Sequence, residues 1–161
     1  MKCFFLTSMI LSMLIVTANA SDDYFNLGNL AYVNKDYNKA YKLYTLGSID
    51  GDKFAQLQLG KMYLNGKGVT KNIKKAKNWF LRSAENGNPH AQFELGLLYR
   101  FGNGVLQDHV QAYKWFNLAS IDGYGPAISN RDYLYKKMTI EQIAEAQKLA
   151  RECVAKEYKD C

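Results

Sequence analysis

Ala91-Gln92-Phe93-Glu94-Leu95-Gly96-Leu97-Leu98-Tyr99-Arg100-Phe101-Gly102-Asn103-Gly104-Val105 restates a pattern that the chain has already used from Ala55 to Val69. At an offset of 36 residues, Ala55-Gln56 pairs with Ala91-Gln92, Leu59-Gly60 with Leu95-Gly96, and Tyr63 with Tyr99. Gly66, Gly68 and Val69 fall on Gly102, Gly104 and Val105, and the register then carries on through Ala76/Ala112, Trp79-Phe80/Trp115-Phe116 and Gly87/Gly123 without a gap. Upstream, Ala40, Tyr44 and Gly51 precede Ala76, Phe80 and Gly87 by the same 36, whereas Leu27-Gly28 precedes Leu59-Gly60 by only 32. The first unit therefore lacks four residues of its internal loop. Downstream, Arg131-Asp132 stands where the next Leu-Gly pair falls and the pattern lapses, as end repeats of a stacked array do because one of their faces meets water.

Each unit reads as two helices. Ala55, Leu59 and Tyr63 recur at the spacing of one helix face, and Ala76, Trp79, Phe80 and Ala84 form the stripe of a second. A helix-interior glycine costs about 1 kcal/mol against alanine, so its recurrence as Gly28, Gly60 and Gly96 predicts a crossing where no Cβ fits. Asp36, Asn72 and Asp108 each stand four residues before the alanine of the second helix and are expected to cap it. Gly51, Gly87 and Gly123 follow the helix ends, and Gly66/Gly68 and Gly102/Gly104 turn the chain between helices. The expected fold is all-α: an α-solenoid of antiparallel helix pairs, with repeats at approximately 24–51, 52–87 and 88–123 and closing helices over 124–157. Thr139 and Gln142 form a capping-box signature in front of the last, from about Ile140 to Lys156.

Ahead of the repeats, Lys2, an apolar run from Phe4 to Val16, and Ala18-Asn19-Ala20 before Ser21-Asp22-Asp23 make the three parts of a secretory signal peptide. Cleavage is expected after Ala20, giving a signal peptide of residues 1–20 and a domain of 21–161. The apolar run is broken by Thr7, Ser8 and Ser12 and is shorter than the ~20 residues of a membrane span. No other stretch reaches spanning length, so the expected location is the periplasm or the exterior. The 161 residues are 48% hydrophobic and 22% charged with two prolines, which excludes a proline-rich linker or a disordered tail. The net charge of +6 points to no particular partner. Lys71, Lys74, Lys75 and Lys77 at one helix start read as a solvated face before they read as a patch for an anionic partner. An export signal argues against nucleic acid.

The chain resembles the Sel1-like repeat proteins, relatives of the tetratricopeptide repeats. Ala91, Leu95-Gly96, Tyr99, Gly102, Gly104-Val105, Asp108, Ala112 and Trp115-Phe116 fit that unit fully, and the unit from Ala55 fits nearly as well. The unit beginning near Tyr24 is closer to a plain tetratricopeptide repeat. These are packing residues, so they specify fold more strongly than function. The resemblance implies an adaptor or scaffold for protein complexes, including exported bacterial proteins of the envelope or of host contact. In such arrays the first helix of each pair lines the concave face. Counted from the Leu-Gly pairs, that face comprises Phe54, Leu57, Lys61, Leu64 and Asn65, then His90, Phe93, Leu97, Arg100 and Phe101, and in the short unit Phe25, Asn29 and Tyr32. Such an aromatic surface suits an amphipathic helix or extended peptide. Two other outcomes stand beside it: the closing helix fills the groove, or these residues are core.

Cleavage removes Cys3 and leaves Cys153 and Cys161. On a continuous helix their separation is about 12 Å, too long for a disulfide, so a bridge requires the helix to end near Lys156 and the tail to fold back. The cysteine-rich branch of the family bridges pairs at this separation, which implies a structural Cys153–Cys161 bond; a free or intermolecular thiol is the competing reading. That branch also includes β-lactam binding or hydrolysis, which gives the alternative function of an envelope enzyme or cell-wall ligand protein. No Ser-x-x-Lys occurs in the chain. His90 and His109 lack metal-ligand spacing and a partner motif, and the Gly-x-Gly turns are too short for a phosphate loop. The expectation is a non-enzyme without cofactor or metal that binds another protein or peptide.

Overall fold

The computed structural model describes residues 23–161; the expected signal segment, residues 1–20, lies outside the described residues. Within them the chain is helical throughout and contains no strand. The helices are α1 (23–33), α2 (Tyr37–Ile49), α3 (Lys53–Asn65), α4 (Ile73–Glu85), α5 (Pro89–Phe101), α6 (His109–Ala119), α7 (Gly125–Tyr135) and α8 (Ile140–Ala155). None is long and apolar enough to cross a membrane. The expected solenoid is present: α3 packs on α4 and α5 on α6 as pairs, and α2–α3, α4–α5 and α6–α7 contacts stack one pair on the next.

The recurring glycines hold each pair together. A Cβ on Gly28, Gly60 or Gly96 would come within 2.6, 2.5 and 2.5 Å of the rings of Tyr44, Phe80 and Phe116 respectively. The bare backbone of the first helix is thus the seat for an aromatic ring of the second, and all three rings are fully buried. Burying one such ring contributes roughly 1.5–3 kcal/mol, which more than offsets the helix penalty of the glycine. Asp36, Asn72 and Asp108 cap α2, α4 and α6 as expected, accepting from the N–H of Lys39, Lys75 and Gln111.

Polar side chains stitch neighbouring units. The buried amides of Gln56 and Gln92 donate to the carbonyls of Ser48 and Ala84, the last turns of the preceding second helices (3.4 Å each). Helix ends leave such carbonyls without intrahelical partners. Asn88 accepts from the N–H of His90 through Oδ1, capping α5, while its Nδ2 donates to the Lys53 carbonyl at the start of α3 (3.2 Å). Ser83 donates to that same carbonyl (2.6 Å). The loop glycines also work between units. Gly68 (φ +70°) and Gly104 (φ +71°) lie against Tyr37 and Ile73, the first residues of the preceding second helices, where a Cβ would approach to 2.7 and 2.5 Å.

α8 closes the array. Its capping box is formed, Thr139 accepting from the Gln142 N–H and Gln142 accepting from the Thr139 N–H. Ile143 and Ala146 join a cluster with Ala112, Tyr113 and Phe116, and Ala150 and Cys153 join Trp115 and Leu118. This helix therefore covers α6, in the second-helix layer, and does not fill the first-helix face. It ends at Ala155 with Lys156 as its C-cap, and the tail turns back through Glu157, Tyr158 and Asp160, all at positive φ, to place Cys161 in a disulfide with Cys153 (Cα–Cα 5.2 Å). Tyr158 comes to rest beside Gly87, and Lys159 donates to the Glu85 carbonyl and the Asn86 side chain. The buried amine of Lys114 donates to the Cys161 carbonyl and stands 4.5 Å from the Trp115 ring. The tail is thus fastened to the end of α4 and the middle of α6 as well as to α8.

Candidate partner-binding face

Along the first-helix face, side chains of α1 meet those of α3, and side chains of α5 meet those of α7 and its N-cap Tyr124. Phe25 of α1 meets Phe54 of α3 (ring centroids 5.7 Å) and Tyr44 beneath it (6.3 Å). On α5, Glu94 and His90 both feel the charge of Lys61 on α3. Burial pushes the Glu94 carboxyl above its usual range, with Lys61 opposing; burial and Lys61 together push His90 down. Between α5 and α7 the links are aromatic and polar. His90 and Phe93 pack edge-on against Tyr124 at 4.6 and 5.4 Å, and burial with the Glu94 charge raises the Tyr124 phenol.

At the far end of the strip Arg100 donates to Asn130 and lays its guanidinium over Tyr133 (4.2 Å) and Phe101 (5.0 Å). Tyr133 lies between two cations: Lys137 first, then Arg100, favour its phenolate and lower its pKa. Holding the guanidinium between two rings and an amide fixes its direction, leaving it less rotamer freedom to lose when an anion arrives. Phe101 and Tyr133 are themselves exposed, 59% and 45%, so this corner presents aromatic surface and positive charge together.

Nine of the thirteen residues assigned to the face by counting along the sequence fall into three groups. Lys61, His90, Arg100 and Phe101 lie half-buried or exposed on the strip. Phe25, Tyr32, Phe93 and Leu97 are half-buried and packed on the core below: Tyr32 against Tyr37 and Phe93 against Phe116. Leu57 does not belong to the face. It is 5% exposed and lies within the main apolar cluster, because α3, flanked by helices on both sides, buries more than half its circumference. Glu94, Tyr124, Asn130 and Tyr133 were not anticipated. Glu94 follows His90 by four residues and so shares its helix face; Tyr124 is the N-cap of α7, and Asn130 and Tyr133 sit on α7, where the repeat pattern has lapsed.

Half of the lysine cluster at the start of α4 serves packing: Lys75 lies over the Tyr63 ring (5.3 Å) and Lys77 over Tyr99 (5.4 Å). The second histidine, His109, contacts Gln107 at 3.3 Å. Among the described residues, no hydroxyl or thiol hydrogen-bonds to either histidine, and no group of three acidic, histidine or cysteine side chains could hold a metal ion.

The family model described as the Sel1 repeat matches residues 21–52, 53–88 and 89–124. Among solved structures, a protective antigen present in uropathogenic Escherichia coli strains and displaying an SLR fold superposes with a TM-score of 0.79 at 30% identity, covering 89% of this chain. A Sel1 repeat protein from Oxalobacter formigenes superposes with a TM-score of 0.68 at 29% identity over 80% of this chain. Both are longer, and this chain spans 32% and 55% of them respectively. No curated protein matches the chain. Sel1 repeats generally serve as protein-interaction scaffolds, and with its repeats matched one after another the chain belongs to the Sel1 repeat family.

Proposed function

We propose that the protein is an exported, non-enzymatic adaptor, cleaved after Ala20 and acting in the periplasm or outside the cell, that binds another protein or peptide through its concave first-helix face. The observation that carries this reading is the unfilled strip from Lys61 through His90 and Arg100 to Phe101 and Tyr133. The closing helix leans on α6 instead, and Arg100 is held between two exposed rings. The Cys153–Cys161 disulfide supports an oxidising compartment. Arg100→Ala combined with Phe101→Ala should abolish capture of the partner from envelope extract while the helical melting curve stays within a few degrees of wild type. Capture undiminished by the double substitution rejects the face. Export has its own test: the intact mass of protein recovered from the periplasm or medium should begin at Ser21, and a mass that includes residues 1–20 rejects cleavage.

A further inference from the structure

We propose that two copies of this chain associate through the N-terminal edge of the array, formed by α1 and α2, as a two-fold symmetric dimer. The two ends of the solenoid are finished differently. At the C-terminal end the outward side of α8 is charged, with Glu141, Glu145, Lys148 and Glu152 all exposed, which is the polar outer face an end repeat needs. At the N-terminal end the outward side is apolar. Leu27, Leu30 and Leu46 are exposed, Leu30 to 60%, and Val33 and Ile49 flank them more exposed still.

Shape and area both point to a second copy. A cleft of about 220 Å³ is lined by Leu27, Leu30, Ala31 and Leu43 together with Asn34, Asp36 and Lys39, with room for a leucine from outside. In an isologous contact the same patch serves both partners, so Leu30 of each copy is the knob for the cleft of the other. The five exposed side chains present roughly 500 Å² of apolar surface, at the upper end of what a monomer leaves uncovered. Two such patches with their polar rims reach the total of roughly 1,200 Å² at which stable interfaces begin. Charge of both signs stands in and around the cleft, with Asp36 and Lys39 lining it and Asp23 and Lys42 near by, all exposed, so a two-fold need not oppose like charges. This inference does not depend on the first-helix face.

Sedimentation velocity on the protein as exported, with its disulfide intact and its N-terminus fixed by intact mass, tests the proposal. The expected result is a monomer–dimer equilibrium complete by about 100 μM, the concentration at which a micromolar Kd is saturated. Leu30→Glu with Leu46→Glu should leave a monomer at that concentration with the wild-type melting curve. The milder Leu30→Gln should weaken association at least about tenfold, and Arg100→Ala with Phe101→Ala should leave it unchanged. A wild-type monomer at that concentration overturns the proposal, as does association that survives the Leu30 variants or proceeds beyond a dimer. A monomer that retains residues 1–20 overturns it too.

Discussion

Gly60 lies flat against the ring of Phe80: a Cβ on residue 60 would stand 2.5 Å from both Cδ1 and Cε1. Gly96 and Phe116 repeat the relationship one unit on, and Gly28 and Tyr44 one unit back, so this pairing of missing side chain and ring is the joint on which each of the three repeat pairs closes. Phe80 is fully buried and has nowhere to swing.

Gly60→Ala should therefore destabilise the protein although alanine is the better helix former. Helix propensity alone gives about 1 kcal/mol of gain; overpacking a filled site costs about 1–3 kcal/mol, and the ring's confinement puts the net effect at a loss. Urea denaturation measures it, and a Phe80→Leu background should shrink the loss by at least half. A gain in stability in the wild-type background would mean the ring is free to move.

Asn88 caps α5 with one atom and donates to the Lys53 carbonyl with another. Asn88→Ala should cost about 2 kcal/mol, about half from the lost cap and half from the lost inter-unit bond. Asn88→Asp keeps the cap but turns a carboxylate toward that carbonyl in a fully buried position. Its denaturation midpoint should fall further below wild type at pH 7 than at pH 3.5, where the acid is protonated and donates.

Burial lowers the Lys114 pKa to about 8, with Asp108 opposing. Below pH 8 folded and unfolded states both carry the proton, and a charged amine is held out of water. Between pH 8 and 10.5 the folded protein releases the proton first, the unfolded chain binds more, and stability rises. Tyr44 and Tyr63, held at about 12 by burial and by the Tyr41 hydrogen bond respectively, act the other way above pH 10. Wild type should therefore gain about 2 kcal/mol relative to Lys114→Met between pH 8 and 10, read from urea midpoints across that range. Parallel curves would show that the amine is hydrated.

The tail after α8 is held at three non-glycine residues of positive φ, a backbone state that persists only where its surroundings enforce it. Cys153→Ala with Cys161→Ala should lower global stability by about 1–3 kcal/mol. It should also bring the amides of residues 158–161 to near-unprotected hydrogen exchange, while the amides of α3 and α5 keep their order of protection.

The joints within a unit were legible because each is written in residue types with one physical use: a glycine under a ring, an acid or amide four residues ahead of a helix alanine, Thr139 with Gln142. What passes between units was not. Gln56 and Gln92 stand out as repeated letters, but the carbonyls they serve belong to the preceding unit. Leu57 was misplaced because counting around a helix fixes which residues share a face, not how much of the circumference its neighbours cover. Asn130 and Tyr133 of α7 lie beyond the repeat, where the pattern lapses, and Tyr124 stands at its last position. The family branch implied the disulfide, and spacing set its condition; the anchoring of the tail by Lys114 and Lys159 has no signature at all, since each is one lysine among many.

The most direct test of the adaptor reading is photocross-linking in producing cells, with a photoreactive residue at position 101 on the first-helix face or at position 148 on the outer side of α8. The account predicts a discrete envelope-protein adduct from position 101 that Arg100→Ala weakens, with none from 148. An adduct from position 148 with none from 101 would contradict it.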